Sequence, residues 1–371
     1  MTNNKVLLSS NTFWNIYIFR QDLIKKLQKE NFDVYLLASD DEYKKYFVDN
    51  NFKVYQINYS RSGTNIFKEF LVIIKYLYII IKIWPSFYIS FTHKPNIYGS
   101  VITSILNIPT INNITGLGYL FINKNFKTKV IQNLFKISFY FSKAVIFQNN
   151  IDKEFFINLK IIKKHQAHLI NGSGVDLNKF KYNVRYKSDK DFIFLFIGRI
   201  IKDKGIYEFL ESSKKLSQEV SNIKFIVIGE FDNKYLSEIS IDYVKSFKNV
   251  QYVGFKKNIY EYIKNCDCVV LPSYREGLPK VLIEACAVGR PIITSDVPGC
   301  NEVVIDNFNG FLCKVKNSND LYIKMKKMYN LPPDKQFKLG TNSRNLAEKK
   351  FDSVIINSKY IKIIRDIQDD R

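Results

Sequence analysis

The strongest constraint on the fold is a rhythm of short apolar runs alternating with helix-length amphipathic stretches, played twice along the 371 residues. KVLLSS (5–10), DVYLLAS (33–39), KVYQIN (53–58), FYISF (87–91) and AVIFQ (144–148) have the length and the Val, Ile, Leu and aromatic content of buried strands. Helical patterns near 16–30, 66–83, 96–107 and 127–142 separate them, as in a parallel, doubly wound sheet. The rhythm pauses at NGSGVDLNKFKYNVRYKSDK (171–190), which is polar, charged and glycine-containing. It resumes with DFIFLFIG (191–198), IKFIVIG (223–229), NVQYVG (249–254), DCVVLPS (267–273) and RPIITSD (290–296). The expected class is α/β, with two Rossmann-like domains, 1–183 and 184–371, facing an interdomain cleft; the length is also too great for one ordinary core. The last helical segment (351–367) is long enough to pack back on the N-terminal domain.

Charge separates the two halves. Of a formal net charge of +21, residues 1–185 carry +14, and between 51 and 150 eleven Lys or Arg face a single acid, Glu69. Such a field favours anionic partners: phosphorylated lipids, a membrane surface, nucleotides or nucleic acid. IFKEFLVIIKYLYIIIKIW (66–84) has the hydropathy of a membrane span, yet Lys68, Lys75 and Lys82 recur every seven residues along one helical stripe, which argues against crossing lipid. Two readings stand: a helix buried on most sides with its lysines in water, or a stripe that joins Lys124, Lys127, Lys129, Lys136 and Lys143 in facing a membrane. The opening MTNNKVLLSS has no signal-peptide pattern, so a cytoplasmic protein is expected. The five cysteines lack a metal-ligand spacing and read as reduced thiols.

The segment EGLPKVLIE (276–284) places an acid at each end of an otherwise largely apolar run. Pro279 predicts a helix that starts there, leaving Glu276 outside it at the carboxyl edge of the sheet and Glu284 roughly 7–8 Å further along the axis. The amides near 277–280 then form a helix N-terminus that suits a phosphate. Acid, amides and acid in that order match a ligand of sugar hydroxyls, diphosphate and ribose diol; an ordinary capped helix with two surface glutamates is the alternative. GRIIKDKG (198–205) adds Arg199 and Lys204 from a strand-to-helix turn, a bidentate and a point cation that could neutralise a pyrophosphate.

GRIIKDKG followed by LPSYREGLPKVLIEACAVGRPIITSDVPGCNEVV resembles the family-4 retaining glycosyltransferases of the GT-B fold, over roughly 195–315. FTHKPNIYGS (91–100) and NNITGLGYLF (112–121) are similar to a subset that extends bacterial surface glycans on undecaprenyl-diphosphate carriers. The resemblance implies that Glu276 contacts the donor sugar, Glu284 the ribose, Arg199 and Lys204 the diphosphate, Gly254 and Phe255 the base, and Gly277 and Leu278 the donor through their amides, with Gly198 framing the turn. Many relatives have a glycine-rich first loop. Here SSNTFWNIY (9–17) has none, which turns attention to the side chains of Asn11, Thr12 and Asn15. His93 falls where some relatives place a functional histidine, and is otherwise a structural loop residue. Lys94, Gly116 and Gly118 are acceptor or loop candidates. His165 and His168 read as linker or core.

The expected activity is a retaining, metal-independent transfer of an N-acetylhexosamine or hexose from a UDP-sugar to a lipid-diphosphate-linked glycan at the inner face of the cytoplasmic membrane. No cofactor and no metal are expected: the one D-x-D, at 189–191, lies in the linker. A nucleotide-sugar 2-epimerase of the same fold and a nucleic-acid-binding protein are the alternatives.

Overall fold

A computed structural model describes residues 4–58, 66–117, 126–185, 191–231 and 239–370. The chain divides into two compact units, Met1–Ser173 with Ser353–Arg371, and Gly174–Asp352.

The first unit is a seven-stranded, all-parallel sheet of β1 (Lys5–Thr12), β2 (Asp33–Ser39), β3 (Lys53–Gln56), β4 (Phe87–Phe91), β5 (Thr110–Ile114), β6 (Ala144–Phe147) and β7 (Ala167–Leu169), in the order β3-β2-β1-β4-β5-β6-β7. Its helices are α1 (Phe13–Lys29), α2 (Lys44–Asp49), α3 (Ile66–Ile83), α4 (His93–Ile105), α5 (Phe126–Phe139), α6 (Asn150–Asn158) and the last of the chain, α13 (Ser353–Asp369). Strand alternation sorts the core by face. Val6, Leu8 and Ile89 pack with α1 and with Ile356, Ile361 and Ile364 of α13, whereas Leu7, Leu37 and Tyr88 pack with Tyr76, Ile80 and Ile102 of α3 and α4.

The second unit repeats the theme with β8 (Phe192–Ile197), β9 (Ile223–Ile228), β10 (Val250–Tyr252), β11 (Cys268–Leu271), β12 (Ile292–Ser295) and β13 (Gly310–Cys313), all parallel, in the order β10-β9-β8-β11-β12-β13. Helices α7 (Ile206–Ser217), α8 (Ile241–Ser246), α9 (Tyr260–Asn265), α10 (Lys280–Val288), α11 (Ser318–Asn330) and α12 (Pro333–Leu346) complete it. All five cysteines are free and buried.

Several expectations need correction. Residues 174–183, read as linker, are seated on the second unit. Val175 N–H donates to Phe351 C=O (2.8 Å), Phe180 enters the core, and Asn183 receives two hydrogen bonds from buried Arg290 (2.7 and 2.8 Å). Strands β5 and β13 were not anticipated. The helix α3 is not buried on most sides: Val72, Tyr76, Ile79, Ile80 and Ile83 face the core, but Phe67, Phe70, Ile74 and Tyr78 are exposed together with Lys68, Lys75 and Lys82. Among the described residues no helix is long and apolar enough to cross a membrane. Gly118, Lys124 and the side chain of Lys127 lie outside the described residues, as do residues 189 and 190 of the D-x-D.

Candidate active site

In an open parallel sheet a ligand crevice forms beyond the carboxyl ends of the two strands where the winding reverses, here β8 and β11. Arg199 and Lys204 follow β8, and the 276–284 segment follows β11, so the topology gathers the two motifs at one edge.

From β8 the chain runs through Gly198 and exposed Arg199 into a single 3-10 turn, Lys202–Lys204, and then Gly205 starts α7 at φ +73°. A side chain at 205 would also put its Cβ 2.1 Å from Pro272 C=O, so only glycine lets the turn approach the β11 exit this closely. The approach has a chemical result. Lys204 Nζ forms a salt bridge with Glu276 Oε1, which also accepts from Ser273 Oγ (2.8 Å). The family resemblance implies Lys204 on a diphosphate and Glu276 on a sugar; the structure joins the two side chains directly, a pairing across 72 positions that no local pattern reveals. Gly299, unremarked in the sequence, packs beneath the same loop, where a Cβ would lie 2.5 Å from Glu276 C=O.

Pro279 is the N-cap of α10, not its first residue, and the helix begins at Lys280. Glu284 is therefore on the fifth helical residue. It is buried, with Lys280 Nζ 3.9 Å from its Oε1, and loss of hydration pushes its carboxyl up to about 7 against the opposing pull of Lys280 and Lys179. A capped helix with two surface glutamates is thus not what the chain builds. Gly277 and Leu278 are buried beside the helix start. Gly254, at φ +73°, ends the strand-β10 turn with open space above it, next to half-exposed Phe255.

In the first unit β4 leads into α4 through Thr92, a β-branched residue held at φ +74°, which is a strained conformation of the kind found at ligand sites. Thr92 Oγ1 and His93 Nδ1 are both buried without a hydrogen-bond partner among the described residues. Burial holds the His93 imidazole down at about 4, so it is neutral at physiological pH, and its ring packs edge-on against Phe135 (5.7 Å). Lys94 is held by Glu69 (2.5 Å), which also accepts from Tyr98 Oη (2.5 Å). Thr12 Oγ1 caps α1 by accepting from Asn15 N–H (3.2 Å), and Asn15 Oδ1 accepts from Ser10 Oγ (2.8 Å), while Asn11 stays partly exposed. Gly116 sits at φ +135° after β5. His165 lies in the 3-10 turn Lys164–Gln166 before β7, and His168 on β7 is lowered by burial against the opposing effect of Asp366.

Beneath these groups runs a buried polar network that the sequence reading missed. Asn112 Nδ2 donates to Ser90 Oγ (2.8 Å) and Ser100 Oγ (2.6 Å), and its Oδ1 accepts from Ser142 Oγ (2.6 Å). Asn113 Oδ1 accepts from Tyr360 Oη of α13 (2.6 Å). The NN of NNITGLG is therefore scaffold.

The family model described as Glycosyl transferases group 1 matches residues 179–346, and Glycosyl transferase 4-like matches 5–149. The chain is 32% identical, over 94% of its length and 95% of the relative's, to the N,N'-diacetylbacillosaminyl-diphospho-undecaprenol alpha-1,3-N-acetylgalactosaminyltransferase of Campylobacter jejuni. It is 24% identical, over 92% and 90%, to the UDP-Gal:alpha-D-GlcNAc-diphosphoundecaprenol alpha-1,3-galactosyltransferase of Escherichia coli. Among solved structures it is similar to Anabaena Alr3699/HepE in complex with UDP, with a TM-score of 0.79 and 18% identity over 98% of this chain and 100% of that one.

Proposed function

Because the chain belongs to the group 1 glycosyl transferases and has the GT-B fold, we propose that it transfers a sugar, with retention, from a UDP-sugar to a lipid-diphosphate-linked glycan. The observation that carries this reading is the Arg199, Lys204 and Glu276 constellation at the reversal of the second sheet, with buried Glu284 one helix turn beyond the α10 N-terminus. Lys204 is already anchored by Glu276, so a cation is preorganised where a departing diphosphate develops charge, and exposed Arg199 adds a second. These cations and the α10 amides supply positive charge from the chain itself, which supports transfer without a metal. Glu276 orients the sugar and Glu284 accepts from the ribose hydroxyls.

The acceptor belongs to the first unit. Neutral His93 and the Thr92 hydroxyl, which has no partner among the described residues, offer it an acceptor nitrogen and a hydroxyl at the start of α4, beside the Lys94–Glu69 ion pair. The two named relatives act on undecaprenol-diphosphate-linked sugars, which supports a lipid-diphosphate acceptor in bacterial polysaccharide or glycan assembly, with peripheral contact between the cationic first unit and the inner face of an anionic membrane. Both relatives are transferases, which favours transfer over 2-epimerisation or nucleic-acid binding. The test is a panel of UDP- and GDP-sugars with a synthetic polyprenyl-diphosphate glycan, followed by mass spectrometry. A glycan heavier by one hexose or N-acetylhexosamine supports the proposal; an epimerised donor, or no product with any UDP-sugar, overturns it.

A further inference from the structure

The outer face of α3 is an exposed apolar feature that the proposed reaction leaves unused. At 100° per residue, Phe67, Phe70, Leu71, Ile74, Tyr78 and Ile81 fall within an arc of about 100°, and each is exposed, Phe67 by 70% and Tyr78 by 62%. Lys68, Lys75 and Lys82 line one border of that arc, between it and the buried face. The neighbouring α5 repeats the pattern. Val130, Leu134 and Ile137 are exposed in a stripe bordered by Lys129 and Lys136, and α4 packs against both helices. The single acid of residues 51–150, Glu69, is turned away, only 18% exposed and bonded to Lys94 and Tyr98. The helix layer thus presents apolar side chains and cations, with no exposed acid among its described residues.

We infer that this face seats in the headgroup–acyl boundary of an anionic bilayer, with the α3 ridge inserted and the bordering lysines on lipid phosphates. The inference deepens the peripheral contact proposed above and rests on that reading of a lipid-linked acceptor. Electrostatic contact by a lysine stripe requires no apolar ridge, whereas an in-plane amphipathic helix has this division of faces. Antiparallel two-fold pairing of copies through the ridge would set like-charged lysine borders side by side, and parallel pairing would leave them without counter-charge, so an anionic lipid surface is the better complement.

Trp84, half exposed at the end of α3, is a built-in reporter, because the chain has one other tryptophan, Trp14. In a Trp14→Phe background, phosphatidylglycerol-containing vesicles with acyl-brominated lipid should quench Trp84. Sedimentation with these vesicles should survive in part at high salt, since apolar insertion is not screened. The triple variant Phe70→Ser, Ile74→Ser, Tyr78→Ser should weaken vesicle binding roughly tenfold or more at both salts. Lys68→Gln, Lys75→Gln, Lys82→Gln should weaken it chiefly at low salt. Unquenched Trp84 with wild-type binding by the serine triple would overturn insertion and leave only charge. So would a dimer, seen by analytical ultracentrifugation, that the serine triple abolishes. The vesicle assay uses no sugar nucleotide: a wild type that inserts but does not bind UDP would count against the donor assignment and not against this face.

Discussion

If Glu284 grips the ribose as a carboxylate, donor affinity must depend on pH near neutrality, because burial has moved its pKa to about 7. Bonds from the ribose hydroxyls favour the ionised form, so binding lowers that pKa and releases a proton, and affinity rises with pH. At pH 6 about one tenth of the carboxyl is ionised and at pH 8 about nine tenths, which predicts roughly tenfold weaker binding at pH 6, or about 1.4 kcal/mol. UDP has a phosphate that titrates near pH 6 itself, so uridine is the second ligand. Calorimetry from pH 6 to 8, repeated in buffers of different ionisation heat, should show the same slope for uridine and a released proton. Glu284→Gln should bind more weakly at pH 8 and lose the slope for uridine. A uridine affinity that is flat from pH 6 to 8, or an unchanged slope in Glu284→Gln, would refute the ribose assignment.

The same raised pKa predicts a stability effect. A carboxyl that holds its proton more tightly when folded contributes stability at low pH that is lost as pH rises from about 4.5 through 7, so Glu284→Gln should be more stable than wild type at pH 8, by up to roughly 3 kcal/mol, and equal to it near pH 4, as read from urea midpoints. Arg199→Ala should lower turnover by about two to three orders of magnitude, while EDTA leaves the wild type unchanged. Glu276→Ala should retain UDP affinity within about threefold and lose most transfer, since its partners Lys204 and Ser273 remain. Tyr360→Phe, which removes the donor to Asn113, should cost about 1–3 kcal/mol in thermal unfolding of the first unit.

The two rounds of strand and helix were legible because parallel strands buried on both faces spell out unbroken apolar runs. TINNI at β5 did not announce itself for the complementary reason: two of its five residues are asparagines, and partners from elsewhere, Ser90, Ser100, Ser142 and Tyr360 among them, make their burial tolerable. GFLC at β13 is too short to carry a period. In the candidate site the glutamate spacing and the Arg199–Lys204 turn could be read locally. The Lys204–Glu276 bridge could not, because it depends on Gly205 letting the turn close against Pro272. The α3 helix misled differently. Its composition matches a buried helix, and exposure of half of that apolar surface is a tertiary fact.

The last helix has a bearing on biosynthesis. Ile356, Tyr360, Ile361 and Ile364 fill one face of a sheet whose strands all belong to the first 169 residues, so that layer stays open while the whole second unit is translated. At about 5–20 residues per second, the roughly 180 intervening residues hold the nascent chain in that state for on the order of ten to forty seconds. During this interval Val6, Leu8 and Ile89 lack their final cover, and the second unit, contiguous in sequence, has all its parts first. A stop codon just before 353 would therefore spare the second unit and leave the first permanently uncapped, a substrate for chaperones and proteases.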